Sequence, residues 1–153
     1  MTALLDVNVL LILHDPLHPH HGLVSEWFED RGVGAFATCP ITESGMIRLL
    51  TNGLPGLGPY GMQEARAALE HLTRRPGHVF WPDMPTWLKS TEPIFARLQG
   101  HRQATDAYLL GLAIHHKGKL ATLDRGTLHL AGREFAAHVE LIEAKPPARK
   151  ARR

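Results

Sequence analysis

The sequence predicts an α/β domain built on a mainly parallel sheet, and three observations carry that prediction. Short apolar runs without polar alternation recur along the chain, as expected of strands buried on both faces. Longer segments with apolar residues at helical spacing lie between them, and strands alternating with helices make parallel βαβ units. The 153 residues suit one domain with a sizeable core.

Residues 2–6 (TALLD) are the first strand, an apolar run ending on an acid, and 7–13 can continue it as a first helical turn or two. Pro16 and Pro19 break that pattern. Leu23, Val24, Trp27 and Phe28 mark an amphipathic helix over 20–30, with Gly32 placed to stop it. Residues 35–38 (AFAT) are the second strand. Pro40 suits the first turn of a helix over 41–51, striped by Ile41, Met46, Leu49 and Leu50. A Gly/Pro loop from Gly53 to Gly61 leads to a helix over 62–74. Residues 78–81 (HVFW) are the third strand, closed by Pro82. Helices over 86–98 and 105–116 follow, then strands at 119–123 (KLATL) and 139–142 (VELI).

The lone Cys39 excludes a disulfide scaffold and suits a reducing, cytoplasmic setting. No run of about 18 apolar residues is present to span a membrane, and the N-terminus lacks the basic region of a secretory signal. Charge is unevenly spread. The chain carries 17 Lys and Arg against 15 Asp and Glu, but residues 144–153 hold Lys145, Arg149, Lys150, Arg152 and Arg153 and no acid. Residues 1–143 are therefore acidic on balance and expected to be the folded domain, with 144–153 a basic, disordered tail.

Four acids stand out by position. Asp6 ends the first strand, Glu43 and Asp106 lie in first helical turns, and Asp124 ends a late strand. Ligands of parallel sheets bind beyond the carboxyl ends of the strands, where helices begin, so the four are placed to converge. Each has a structural alternative. Acids in a first turn complement the helix dipole, and Asp124-Arg125-Gly126 is an ordinary turn sequence. Asp6 is harder to explain away, because apolar neighbours on both sides strip its hydration and leave it needing a partner. Carboxylates packed together must take up protons or bind cations. An oxygen-only set with no cysteine pattern suits Mg²⁺ or Mn²⁺, and such ions suit phosphodiester chemistry.

The ordered set LLDVNVLL, ATCPITESGMIRLL, ATDAYLLGLAI and LATLDRG, spread from residue 2 to about 142, resembles the PIN-domain ribonucleases, and within them the VapC-type toxins. The resemblance implies a three-layer α/β/α sandwich and a Mg²⁺- or Mn²⁺-dependent endoribonuclease acting on structured RNA, often tRNA or rRNA. It implies that Asp6, Glu43, Asp106 and Asp124 are the metal-binding and catalytic acids, with Asn8, Thr122 and Ser44 as polar supports. It also implies a homodimer and a small VapB-like antitoxin lying across the groove. Some relatives carry a further acid after the last motif Asp. Here the chain continues RGTLHL, so one bound ion is expected.

Other signals are weighed against that reading. Gly56, Gly58 and Gly61 spell G-x-G-x-x-G with Asp83 downstream, but a helix rather than a strand precedes them, so a helix–helix connection is expected instead of a dinucleotide site. His14, His18, His20 and His21 lack zinc-finger spacing and a cysteine pair, and read as a polar loop that can touch substrate phosphate. Cys39 has no activating base and reads as core, while Trp27, Trp81 and Trp87 adjoin apolar stripes. Arg48 is a candidate phosphate contact, the alternative being a solvated helix arginine, and Arg149, Lys150, Arg152 and Arg153 are candidate RNA contacts. The leading reading is thus a toxin endoribonuclease. Its rivals are a housekeeping nuclease of the same fold and an inert RNA- or partner-binding module. A phosphatase using Asp6 as nucleophile is disfavoured, because the D-x-N run lacks a second Asp.

Overall fold

The computed structural model describes residues 1–31 and 34–145. Five short strands form one parallel sheet: β1 (Ala3–Leu5), β2 (Phe36–Thr38), β3 (His78–Phe80), β4 (Lys119–Thr122) and β5 (Val139–Leu141), in the order β3-β2-β1-β4-β5. The chain builds outward from β1 on one side, then returns to build on its other side. That reversal places a crevice between the carboxyl ends of β1 and β4, which is where open parallel sheets bind ligands. Both edge strands are three residues long.

Strand residues alternate between two cores. Ala3, Leu5, Phe36 and Ala121 face one core with α1 (Val7–His14), α2 (His21–Asp30), α3 (Pro40–Asn52) and α4 (Met62–Thr73). Leu4, Ala37, Leu120 and Val139 face the other, with α5 (Trp87–Thr91), α6 (Ala104–His115) and α7 (Gly126–Phe135). Helices thus cover both faces, giving the three layers expected from the sequence. A strand buried on both faces has no polar face to show, which is why these runs lack alternation. Ile142, 3% exposed, is the last residue of the core. Gly32 and residues 146–153, and with them Arg149, Lys150, Arg152 and Arg153, lie outside the described residues.

Two helices depart from expectation. The segment 86–98 is α-helical only over five residues and then tightens into a 3₁₀ helix, Glu92–Arg97. Pro93 is the cause, since it removes a backbone donor and clashes with the preceding turn. No helix is expected from the sequence over α7. Asp124-Arg125-Gly126 reads there as a turn, and Gly132 breaks the helix's regularity with φ 61°.

Helix α6 is the central helix of its layer. Residues 107 to 113 are all buried, as expected of a helix apolar all round. It approaches α5 at Gly111, where an added Cβ would sit 2.0 Å from the Ser90 carbonyl oxygen. The Ser90 hydroxyl donates to the Tyr108 carbonyl at 3.0 Å across the same contact. We expect Gly111→Ala to lower unfolding free energy by about 1–3 kcal/mol through overpacking, read as a reduced urea midpoint with an unchanged slope.

Candidate functional site

The site begins at the end of β1. The backbone N–H of Asp6 still pairs with the Ala121 carbonyl of β4 at 3.1 Å, and its side chain then caps α1. Oδ1 accepts the Val7 N–H at 2.7 Å and Oδ2 accepts the Thr122 hydroxyl at 2.9 Å. Thr122, 1% exposed at the end of β4, also accepts the Asp124 N–H on its Oγ1 at 3.1 Å. Asp124 Oδ1 in turn accepts the Gly126 N–H at 2.8 Å. That bond satisfies an orphan donor at the start of α7, so the acid read as a turn residue also begins a helix.

Asp106 enters from the first turn of α6. Burial raises the Asp6 carboxyl above its ordinary value. The bonds from Thr122 and Val7 pull it back in part, and the Asp124 charge adds to the rise. Asp106 is pushed up to about 6, by burial first and then by the charges of Asp6 and Asp124. Asp6, Asp106 and Asp124 therefore share one electrostatic environment at the crevice. Among the described residues Asp106 makes no side-chain hydrogen bond to offset that repulsion.

Glu43 has partners of its own. The Thr38 hydroxyl donates to its Oε1 at 2.6 Å, and His78 Nε2 lies 2.8 Å from the same hydroxyl. Since that hydroxyl has one proton and gives it to Glu43, the imidazole is the donor to Thr38. Burial lowers the His78 pKa and the Glu43 charge opposes the shift. Glu43 and His78 line a cleft with Arg66 and Glu70. Sequence reasoning missed Thr38 and His78. The available signal was a polar residue ending an apolar strand five positions before an acid.

The supports divide in the same way. Thr122 bonds Asp6 directly, whereas Asn8, Ser44 and Arg48 are exposed and make no side-chain hydrogen bond among the described residues. Cys39 is buried at the start of α3, and burial pushes its thiol pKa up. Trp81 is buried and stacks on His116 with ring centres 4.3 Å apart. Trp27 donates to Glu140 and Trp87 to the Ala104 carbonyl. Asp83 accepts the Tyr108 hydroxyl at 3.0 Å, a role within the fold rather than at a ribose.

No three His, Cys, Asp or Glu side chains among the described residues form a ready-made metal cage. The three aspartates are nonetheless of one chemical kind. They are hard oxygen donors whose mutual repulsion a divalent cation would relieve, which fits Mg²⁺ or Mn²⁺.

A family model described as PIN domain matches residues 3–133. The chain belongs to the PIN-domain family. Relatives in Mycobacterium tuberculosis H37Rv include ribonuclease VapC29, 41% identical over 86% of this chain and 92% of the relative. Ribonuclease VapC38 is 38% identical over 92% and 97%, and ribonuclease VapC39 37% over 93% and 100%. Two solved structures share the fold. FitAB bound to an IR36 DNA fragment superposes with TM-score 0.62 at 21% identity, covering 95% of this chain and 99% of that one. FitAcB from Neisseria gonorrhoeae superposes with TM-score 0.58 at 22% identity over 92% and 96%. No described helix of this PIN domain is long and apolar enough to cross a membrane.

The raised pKa of Asp106 makes a stability prediction. Its folded value lies above its unfolded one, so ionisation costs the metal-free fold stability as pH rises from about 4 through 6, and the cost is complete above that window. We expect Asp106→Asn to be more stable than the parent at pH 7.5 in the absence of divalent ions. The gap should narrow at pH 4.5, as read by urea unfolding at both pH values.

Proposed function

We propose that this PIN domain is a Mg²⁺- or Mn²⁺-dependent endoribonuclease, the toxin of a toxin–antitoxin pair, cleaving structured RNA such as tRNA or rRNA in the cytoplasm. One observation carries the reading: Asp6, Asp106 and Asp124, from three different elements, come together at the crevice where strand order reverses, close enough that the Asp124 charge acts on both Asp6 and Asp106 and the Asp6 charge acts on Asp106. The ribonuclease names of relatives that span nearly the whole chain support it.

In this reading Asp6, Asp106 and Asp124 hold the cation, with Glu43 the fourth acid of the site. A divalent ion there supplies charge neutralisation on the transferring phosphate and a more acidic water. Thr122 keeps Asp6 in one rotamer, and its hydroxyl ties that carboxylate to the Asp124 backbone. Asn8, Ser44 and Arg48 face solvent, free to meet substrate. Water attacks the phosphate in line, the 3′ oxygen leaves as a 3′-hydroxyl, and the downstream fragment keeps the 5′-phosphate. The acids also explain a need for the cation, since an acidic groove repels an RNA backbone unless a positive charge intervenes. Two copies of the chain form the working dimer, and a small VapB-like antitoxin inhibits it by lying across the groove.

Asp6→Asn should lower RNA cleavage at least ~100-fold with the fold intact by circular dichroism. Thr122→Val, which leaves every acid in place, should cost about 10–100-fold, as outer-shell partners of metal ligands do. Chelation should stop cleavage and added Mn²⁺ restore it. Undiminished cleavage by Asp6→Asn would remove the acids from the reaction.

A further inference from the structure

Two sequence features that the cleavage reading does not use, the histidine-rich stretch and the Gly/Pro loop, meet across one pocket. It encloses about 520 Å³. Asn8, two residues past Asp6, and Leu123, the neighbour of Asp124, belong to its lining, as do Leu11 and Ile12 of α1.

The loop side of the pocket is apolar and stiff. Leu54 and Leu57 exchange two backbone hydrogen bonds, 2.7 and 2.9 Å, closing the turn Leu54-Pro55-Gly56-Leu57. Pro55 presets its own φ and lacks an N–H, and Gly56 takes the positive φ of 77° that the next turn position requires. This wall is formed before any ligand arrives. The loop read as a helix–helix connection is also a shaped surface.

The lining also holds polar groups. Asp15, 9% exposed, accepts the Leu17 N–H on Oδ1 at 3.1 Å, which leaves Oδ2 without a protein donor among the described residues. The His20 N–H donates to His18 Nδ1 at 3.0 Å, so the neutral His18 ring carries its proton on Nε2. The lining thus combines aliphatic side chains with a free carboxylate oxygen, an imidazole N–H and an imidazole face, the groups a flat heteroaromatic ring needs.

We propose that this pocket receives one unstacked nucleobase of the RNA, beside the phosphate cut at the acids, and that Asp15 selects a base bearing an amino group. The inference rests on the nuclease reading and adds a sequence preference to it. Sequence-specific RNA recognition works on splayed single-stranded bases, stacked on flat side chains and bonded at their edges. A carboxylate only accepts hydrogen bonds. Adenine, cytosine and guanine each offer it an amino group, whereas uracil offers one imino N–H flanked by two carbonyls that the carboxylate repels. Two of its lining residues, Asn8 and Leu123, lie within two positions of Asp6 and Asp124 in the chain, which favours substrate over a polypeptide as its occupant.

The test separates this pocket from the cleavage chemistry. Metal-free protein is titrated with the four nucleoside 5′-monophosphates while the methyl signals of Leu54 and Leu57 and the ring signals of His18 are followed by NMR. AMP, CMP and GMP should move them, with UMP on the order of tenfold weaker. Asp15→Asn keeps an oxygen for the Leu17 N–H and presents an amide donor in place of Oδ2, so UMP should gain on the others. Leu57→Trp fills the pocket and should abolish the shifts, whereas Asp6→Asn should leave them unchanged. In parallel, an RNA pool with a randomised loop is cleaved with Mn²⁺ and its product ends are sequenced. Uracil should be depleted at one position beside the cut, and Asp15→Asn should erase that depletion. Signals unmoved by all four nucleotides, or an identical base order in Asp15→Asn, overturn the proposal. If the parent protein still cleaves RNA in that case, the nuclease reading stands and the pocket belongs to a polypeptide. Base-selective shifts without any cleavage would instead sink the nuclease reading and leave the pocket.

Discussion

The parallel pairing of β1 with β2 on one side and β4 on the other is the constraint from which the acidic edge follows. A strand flanked on both sides and covered on both faces must end abruptly, because its last backbone groups leave the ladder together. Asp6 stands at that point. Its N–H still belongs to the sheet and its carboxylate already belongs to α1. The Thr122 hydroxyl then links the ends of the two strands between which the chain reverses. Sheet register and carboxylate geometry are therefore one arrangement: a slip of β4 by one residue would turn Thr122 away from Asp6.

Electrostatics at this edge run against the fold. Asp6 and Asp106, partly withdrawn from water, both feel the Asp124 charge, and the protein tolerates this because other parts of the structure hold the three acids there. Asp124 is anchored by the turn that starts α7, Asp106 by a helix buried along most of its length, and Asp6 by its two hydrogen bonds. Strain of this kind concentrates at functional sites and is offset by packing elsewhere. Glu43 shows the contrast. Satisfied by a hydroxyl that is itself held by an imidazole, it has no comparable conflict.

The sheet and the helices α1, α3, α4 and α6 were legible in the sequence because their stop signals and apolar patterns agree. Pro40 opens α3 as expected, and LLD ends β1 at the acid. Where the reading failed, local and tertiary signals disagree. Asp124-Arg125-Gly126 reads as a turn, yet the Gly126 N–H bond to Asp124 and the burial of Leu130 and Ala131 carry the chain on into α7. Pro93 had the opposite fate: the helix expected over 86–98 runs through it, but its missing N–H tightens the chain into a 3₁₀ turn. Within the site, the sequence could place the acids on elements but not orient them. Position alone gives Glu43 and Asp106 the same first-turn role, and only the three-dimensional neighbours Thr38 and His78 separate them.

The sheet's two borders carry a consequence for how the molecule behaves in a crowded solution. An outer strand offers unpaired N–H and C=O groups to any passing chain, and long flat borders template aggregation. Here each border is about 10 Å long, enough for one or two intermolecular bonds. On the β5 side Glu140 is also engaged by Trp27 and Arg31, which sets a bulky charged cluster beside the border. Val79 and Phe80, although exposed on β3, sit on a strand too brief to recruit a partner by backbone pairing alone. Association through that side must therefore be side-chain driven, and so selective for surfaces that match it.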